Sequence, residues 1–212
     1  AGGWTISQEN FFNLDIIDQL KLRLSYGTNG NRGVGIYDAL ANLNTGKFVL
    51  ITGGTPGYVS QLYTSRMANP NLKWERTSAY NIGVDFSFFK GRLSGNIEGY
   101  YMITKDLLIP RQLPNITGFA SVMSNMGQVD NKGVELYLTS VNLSTQDFTW
   151  STDFSLAHNR NKIVHLFGDY TTDAVTGEQK EVDDITNGWF IGHAVDQIWD
   201  YKTLGIWQTD EA

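Results

Sequence analysis

The 212-residue sequence has no cysteine, only 4 prolines and no long hydrophobic run. Without cysteine there is neither a disulfide framework nor a thiolate metal site, although this absence assigns no compartment. The longest unbroken apolar stretches are four residues, Phe48 to Ile51 and Tyr100 to Ile103, against the about 20 that a membrane-spanning helix needs. Transmembrane helices are excluded. Positive charge is scarce: 16 Lys and Arg stand against 22 Asp and Glu, the net charge is -6, and no Lys/Arg cluster exceeds a pair. A protein that tracks nucleic-acid phosphates is therefore not expected. Ala1 opens without a basic and then apolar leader, and Thr209 to Ala212 follow an aromatic-rich run with no turn chemistry, so the chain reads as part of something longer. With 41% apolar residues it has material for a sizeable core and no sign of bulk disorder.

What the sequence has in abundance is period-2 alternation, the mark of strands with two different faces. Between Trp74 and Phe88 one side carries Tyr80, Ile82, Val84, Phe86 and Phe88, and the other Ala79, Asn81, Gly83, Asp85 and Ser87. After Lys90-Gly91 the pattern resumes with Leu93, Gly95, Ile97, Gly99, Tyr101 and Ile103, which predicts a tightly turned hairpin. A second hairpin sets Val134, Leu136 and Leu138 beside Phe148, Trp150, Phe154 and Leu156, with its turn within Val141 to Asp147. An earlier strand shows Leu20, Leu22, Leu24 and Tyr26. No helical stripe competes. Turns at one end are short, whereas the connections at Gly27 to Asn71, Asp106 to Asn125 and His158 onward are long and rich in Gly, Asn and Thr. That polarity is expected of an outer-membrane barrel, with periplasmic turns and extracellular loops.

A soluble antiparallel sandwich shows the same period, and on periodicity alone that commoner architecture is favoured. Three features turn the balance. The alternating stretch runs far beyond the usual strand length of about 5 to 6 residues. Tyr80 and Phe88 bracket an apolar segment roughly 26 Å long, a little under 20 Å in height after a 45° tilt. The opposite face carries Asn, Ser, Thr, Gly, Asp and Glu, suited to a watered lumen. Lipid outside and water inside explains all three, and Tyr80, Ile82, Val84, Phe86, Phe88, Leu136 and Phe154 are the residues expected to face lipid.

The run Asn69-Pro70-Asn71-Leu72-Lys73-Trp74-Glu75-Arg76-Thr77 resembles the barrel region of SusC/RagA-type TonB-linked outer-membrane proteins of Bacteroidota. The likeness continues through Leu20 to Gly27 with Gly30-Asn31, Tyr100-Tyr101, Thr104 to Leu108, Asn125-Met126-Gly127 and Val129 to Glu135. It ends with Asn159 to Ile163, Gly192-His193, Tyr201-Lys202 and Gly205 to Gln208. These blocks keep the family's order over nearly the whole chain. The resemblance implies an all-β fold, part of a large antiparallel outer-membrane β-barrel with long extracellular loops, here the C-terminal-half segment over residues 1–212. The plug domain and terminal barrel strand are expected to lie outside it. It further implies import of glycans or peptides into the periplasm with a SusD-like surface lipoprotein, energised by the TonB complex through an N-terminal region.

Individual sites invite less. Gly27, Gly30, Gly33 and Gly35 do not have phosphate-loop spacing and no helix pattern follows. His158, His165 and His193 lack partners at metal-ligand spacing and read as loop or strand-end residues. The acidic stretch Asp169, Asp173, Glu178, Glu181, Asp183 and Asp184 does not match a calcium loop and reads as a solvated loop. Glu75 and Asp85 lie about 33 Å apart along one strand, too far for a glycosidase pair, and no nucleophile elbow appears. Neither catalysis, metal nor cofactor is expected. Trp189, Trp199, Tyr201 and Trp207 could stack on sugars or hold peptide side chains; packing of the loop onto its neighbours is the preferred reading. A soluble carbohydrate-binding β-sandwich stands as the alternative, and a jelly-roll enzyme behind it.

Overall fold

Alternating side chains leave the backbone only one economical arrangement, extended strands whose polar groups pair sideways. A computed structural model describes residues 1–200 except 34, 36 and 175, together with 202 and 205. Twelve strands follow one another among these residues: β1 (Gly2–Thr5), β2 (Ile17–Asn31), β3 (Asn42–Thr52), β4 (Thr55–Arg66), β5 (Glu75–Phe88), β6 (Leu93–Lys105), β7 (Leu108–Gln112), β8 (Ser121–Asn125), β9 (Gln128–Ser144), β10 (Thr149–His165), β11 (Tyr170–Thr172) and β12 (Gln179–Glu181). Two single 3₁₀ turns are the helical content described.

Six strands form one antiparallel sheet in the order β1-β2-β5-β6-β9-β10. The remainder are two-stranded hairpins, β3-β4, β7-β8 and β11-β12. All three hairpins stand at one end of the large sheet, while the other end turns tightly. In the β5–β6 turn Phe89, Lys90 and Gly91 are all left-handed (φ 56°, 58° and 78°). Asp18, which bulges out of β2, caps this turn by accepting the Gly91 N–H at 2.8 Å. The β9–β10 turn closes with Thr145 N–H donating to Phe148 O at 2.8 Å. The expected polarity of short turns and long loops is therefore present. Each of the three long connections also contains a hairpin, which the sequence reading did not mark. β2 also runs on to Asn31, past the stretch its apolar residues marked.

No second sheet covers the large one among the described residues. Buried apolar residues there are Ile109, Ile163 and Leu166, at the loop end. The chain exposes 16004 Å², whereas a compact soluble monomer of 23.7 kDa exposes about 9,800 Å². A sandwich, the alternative architecture, is thereby removed: Ile82 and Phe154 are 52% and 50% exposed rather than sealed beneath a partner layer.

Close packing within the single layer falls on glycine. A side chain at Gly133 would meet Asn159 Oδ1 at 2.5 Å and the Tyr100 ring at 2.7 Å. The space is already used, since Tyr100 spans it to donate its hydroxyl to Asn159 at 2.7 Å. Gly133→Val is expected to destabilise the assembled full-length barrel by roughly 1–3 kcal/mol through overpacking. Its heat-unfolding midpoint on a gel falls, and adding Tyr100→Ser recovers part of the loss.

Candidate functional site

Ladder register carries the alternation of each strand across its neighbours, so the sheet has one apolar and one polar face. On the apolar face Leu20, Phe86, Gly95, Leu138 and Phe154 make one row, and Leu22, Val84, Ile97, Leu136 and Leu156 the next. Above them lie Leu24, Ile82, Gly99, Val134 and His158, and then Tyr26, Tyr80, Tyr101, Lys132 and Arg160. All seven residues read from sequence as lipid-facing, Tyr80, Ile82, Val84, Phe86, Phe88, Leu136 and Phe154, share this face. Aromatic rings mark both margins. Tyr26 and Tyr80 pack at 4.8 Å near the loop end, and Phe86 and Phe88 at 5.4 Å near the turn end.

The apolar band is inclined to these rows. On β2 and β5 it runs from Ile17 and Phe88 up to Tyr26 and Tyr80. On β9 and β10 apolar residues reach lower, to Leu143 and Trp150, which pair beyond a bulge and are separated from Leu138 and Phe154 by Ser140 and Thr152, and they give way to Lys132 and Arg160 above Val134 and Leu156. Strands tilted to the band produce this drift, as a barrel requires.

The other face is polar and partly charged. Arg23 donates Nε–H to Asp85 Oδ2 at 2.9 Å and reaches Glu98 at 3.4 Å, bridging β2, β5 and β6. Gly83 makes room for it, because a Cβ there would lie 2.9 Å from the guanidinium. Glu135, directly opposite Glu98, extends the acidic patch. Asp153 accepts from Thr139 at 2.7 Å and Tyr137 at 3.3 Å. Reading the strands one at a time missed Arg23, since its partners Asp85 and Glu98 are 62 and 75 residues away. Placing Arg23 and Asp85 on the polar side of their strands was the available signal.

At the loop end, side-chain amides and carboxylates take over the ladder's work. Asn125 donates to the carbonyls of Lys73 and Asp106 and accepts the Lys73 N–H at 2.5 Å. Glu75 accepts from Asn31 at 2.8 Å and from the Leu108 N–H at 2.9 Å, joining β2 to β7. Trp74 lies over Gly30, where a Cβ would meet its ring at 2.9 Å. Asp38 holds the base of the β3–β4 hairpin through the Gly35 N–H and Arg66, which keep its carboxyl below the usual range.

The acidic stretch is a structural fastening. Glu181 is buried and accepts the N–H groups of Leu166 at 2.8 Å and Gly168 at 2.9 Å, with His165 Nδ1 at 3.0 Å. Burial alone raises its pKa, but the Gly168 N–H, His165 and the Leu166 N–H outweigh that and hold it below the ordinary glutamate value. Asp169 pairs with Arg111, Asp183 accepts from Lys180 and the Ile191 N–H, and Asp184 from Asn187. His165 thus has a partner at a strand end, whereas His158 lies within β10 and is no loop residue. Among the described residues no cluster of three His, Cys, Asp or Glu is arranged to hold a metal.

Of the four aromatic candidates, Tyr201 and Trp207 lie outside the described residues. Trp189 exchanges both backbone hydrogen bonds with Asp184 at 2.8 and 2.9 Å, and Trp199, 46% exposed, packs its ring 5.6 Å from Phe190. The same loop lies along β10: Gly192 N–H donates to Ile163 O, Ile163 N–H to His193 O, and Val195 N–H to Asn161 Oδ1, each at 2.8 Å.

A single antiparallel layer, apolar with aromatic margins on one face and polar on the other, short-turned at one end and looped at the other, is a segment of an outer-membrane-type β-barrel wall. The chain belongs to the TonB dependent receptor-like β-barrel family, which it matches over residues 9–198. It is 34% identical to TonB-dependent receptor SusC of Bacteroides thetaiotaomicron over 215 residues, 96% of this chain and 21% of that protein. Against TonB-dependent receptor P39 of Formosa agariphila the identity is 33% over 214 residues, 99% of this chain and 19% of that one. Among solved structures, the RagAB peptide transporter superposes with a TM-score of 0.68 at 29% identity, covering 91% of this chain and 20% of that chain. The chain thus spans 19% to 21% of the length of these relatives.

Because Glu181 has a lower pKa folded than unfolded, its fastening stabilises the loop fully above about pH 4.3, the unfolded value. That contribution is lost as pH falls through the folded value. In the full-length protein, hydrogen-exchange protection of the Leu166 and Gly168 amides is expected to hold from pH 7 to about 4.5 and then decline. Glu181→Gln should lower it at pH 7 by about tenfold or more, in line with the usual worth of hydrogen bonds to a charged group, and abolish the acid dependence.

Proposed function

We propose that these residues are a wall segment of a SusC-like importer in the outer membrane of a Gram-negative bacterium, with the residues of the apolar face against lipid and those of the polar face lining the passage. The importer acts with a SusD-like surface lipoprotein and the TonB complex, contacted through a plug-bearing region outside residues 1–212, and moves peptides or glycans into the periplasm. It is not catalytic: its residues bind and guide cargo. One observation carries this reading, the continuity of the apolar face across all five long strands in the rows of Leu20 and Leu22, with aromatic rings toward both ends and, at that height, charged residues on the opposite face.

Likeness to the RagAB peptide transporter favours peptide cargo. The patch formed by Glu98 and Glu135 beside Arg23 gives the passage a charged wall on which such cargo or the plug can rest. In this reading Trp189 and Trp199 belong to the loop through which cargo enters.

The test uses the full-length transporter in its native host. Val84→Arg puts a cation into the lipid-facing band at a cost of about 2–4 kcal/mol. It should leave little protein in the outer-membrane fraction, while Asn81→Arg on the other face assembles normally. Assembled wild-type protein should support uptake of oligopeptides that stops when the proton gradient is collapsed. Normal assembly of Val84→Arg would overturn the lipid-facing assignment, and gradient-independent uptake the energised mechanism.

A further inference from the structure

The buried apolar residues at the loop end come from two connections that are far apart in sequence, Ile109 from β7 and Ile163 and Leu166 from the end of β10. Gly127, between β8 and β9, is where these connections converge. A Cβ there would lie 3.4 Å from Ile109 Cδ1, 3.1 Å from the His165 carbonyl oxygen and 3.4 Å from that of Leu166. Its left-handed backbone (φ 82°) and this crowding both call for glycine. Two residues further along the same side of β7, Arg111 pairs with Asp169 at 2.9 Å. Ile109 and Arg111 are covered while their neighbours Pro110 and Gln112 are exposed. This side of the β7–β8 hairpin is therefore laid against residues 165–169.

The same five residues are gripped from β12 as well. Glu181 accepts the Leu166 and Gly168 N–H groups and bonds His165 Nδ1, and the Val182 N–H donates to Asp169 O at 2.8 Å. Beyond β12 the chain is tied on in turn, through the Ile191 N–H to Asp183 and through Gly192 and His193 to the Ile163 backbone. Residues 165–169 are thus a strip shared by the β7–β8 hairpin and by the loop that runs on to His193. Each holds the strip in the shape the other needs. Without Glu181 the strip is free to shift, and Ile109 loses its cover and Arg111 its partner; without the hairpin, one side of the strip is bare.

We propose that the β7–β8 hairpin and the loop from Leu166 to His193 open and close as one cooperative unit, jointed at residues 165–169. Local opening in proteins proceeds by such contiguous units, each with its own free energy. A contact made on the hairpin, whose tip holds Ile116 out in water at 96% exposure, is then felt at Trp189 in the loop. Two connections that could gate separately act as a single leaf at this end of the wall. Every contact that makes the joint lies within these residues, so it stands whichever face of the wall meets lipid.

Hydrogen exchange in the full-length protein at pH 7 tests the joint at four amides. Leu113 and Met126 report on the hairpin, where they donate to Ala120 O and Leu107 O, and Leu166 and Gly168 report on the loop. Glu181→Gln removes no hydrogen bond of the hairpin, yet should speed all four by a common factor of about ten or more. Ile109→Ala removes no hydrogen bond of the loop, yet should speed all four by roughly thirtyfold, the low end for truncating a buried isoleucine. The Ile97 and Leu136 amides, at the middle of the wall, keep their wild-type rates in both variants. Should Ile109→Ala fail to assemble, Arg111→Gln removes only a half-exposed ion pair and should speed the four by about twofold. Acceleration confined to the connection that carries the substitution overturns the proposal. So does equal acceleration at Ile97 and Leu136, which would mean that the whole wall opens and no separate unit exists.

Discussion

A single-layer sheet between two solvents has nowhere to hide a backbone polar group, so the whole arrangement depends on an unbroken hydrogen-bond ladder. Long strands meet that demand: β9 and β10 pair from Thr149–Ser144 to His165–Gln128 with two irregularities. Where the ladder cannot continue, side chains substitute for it. Asn125 gives Lys73 both a donor and an acceptor, as a neighbouring strand would, and Glu75 closes the gap between β2 and β7. Asp18 does the same at the turn end. This explains why the most recognisable blocks of the sequence, Asn69 to Glu75, Asn125 to Gly127 and Asn159 to Ile163 with Gly192-His193, cluster where strands leave or rejoin the wall.

The strands were legible in the sequence because their signal is local. A period of two with apolar residues on one side needs no knowledge of partners, and Tyr80 to Phe88 displayed it together with its aromatic margins. The polarity of turns and loops was legible for the same reason. What escaped was whatever depends on register. Arg23, Asp85 and Glu98 meet only when β2, β5 and β6 are aligned, and Lys132 meets Arg160 only when β9 and β10 are. The β3–β4 hairpin escaped differently. Near its tip Phe48, Val49, Leu50 and Ile51 are apolar on both faces, so alternation fails there even though the pairing is regular.

Charge placement follows from the same two-solvent constraint. A cation is expensive at the middle of a hydrocarbon layer and cheap at its edge. On the apolar face the basic residues, Arg76, Lys105, Lys132, Arg160 and Lys162, all stand on the loop side of the band, whereas Arg23 sits at mid-height but on the polar face with two carboxylates. The sheet thus records the height of its surroundings in the positions of its charges as clearly as in its aromatic rings.

Loops carry a different burden. They must keep a shape in water with little apolar material, and the buried groups of this end, Ile109, Ile163, Leu166 and Glu181, are few. A carboxylate that accepts two backbone N–H groups and a histidine can order such a segment without a core, since ion-assisted hydrogen bonds to buried donors are worth more than neutral ones. The acidity of the 169–184 stretch is then accounted for by fastening: each of Asp169, Glu181, Asp183 and Asp184 is committed to a specific donor.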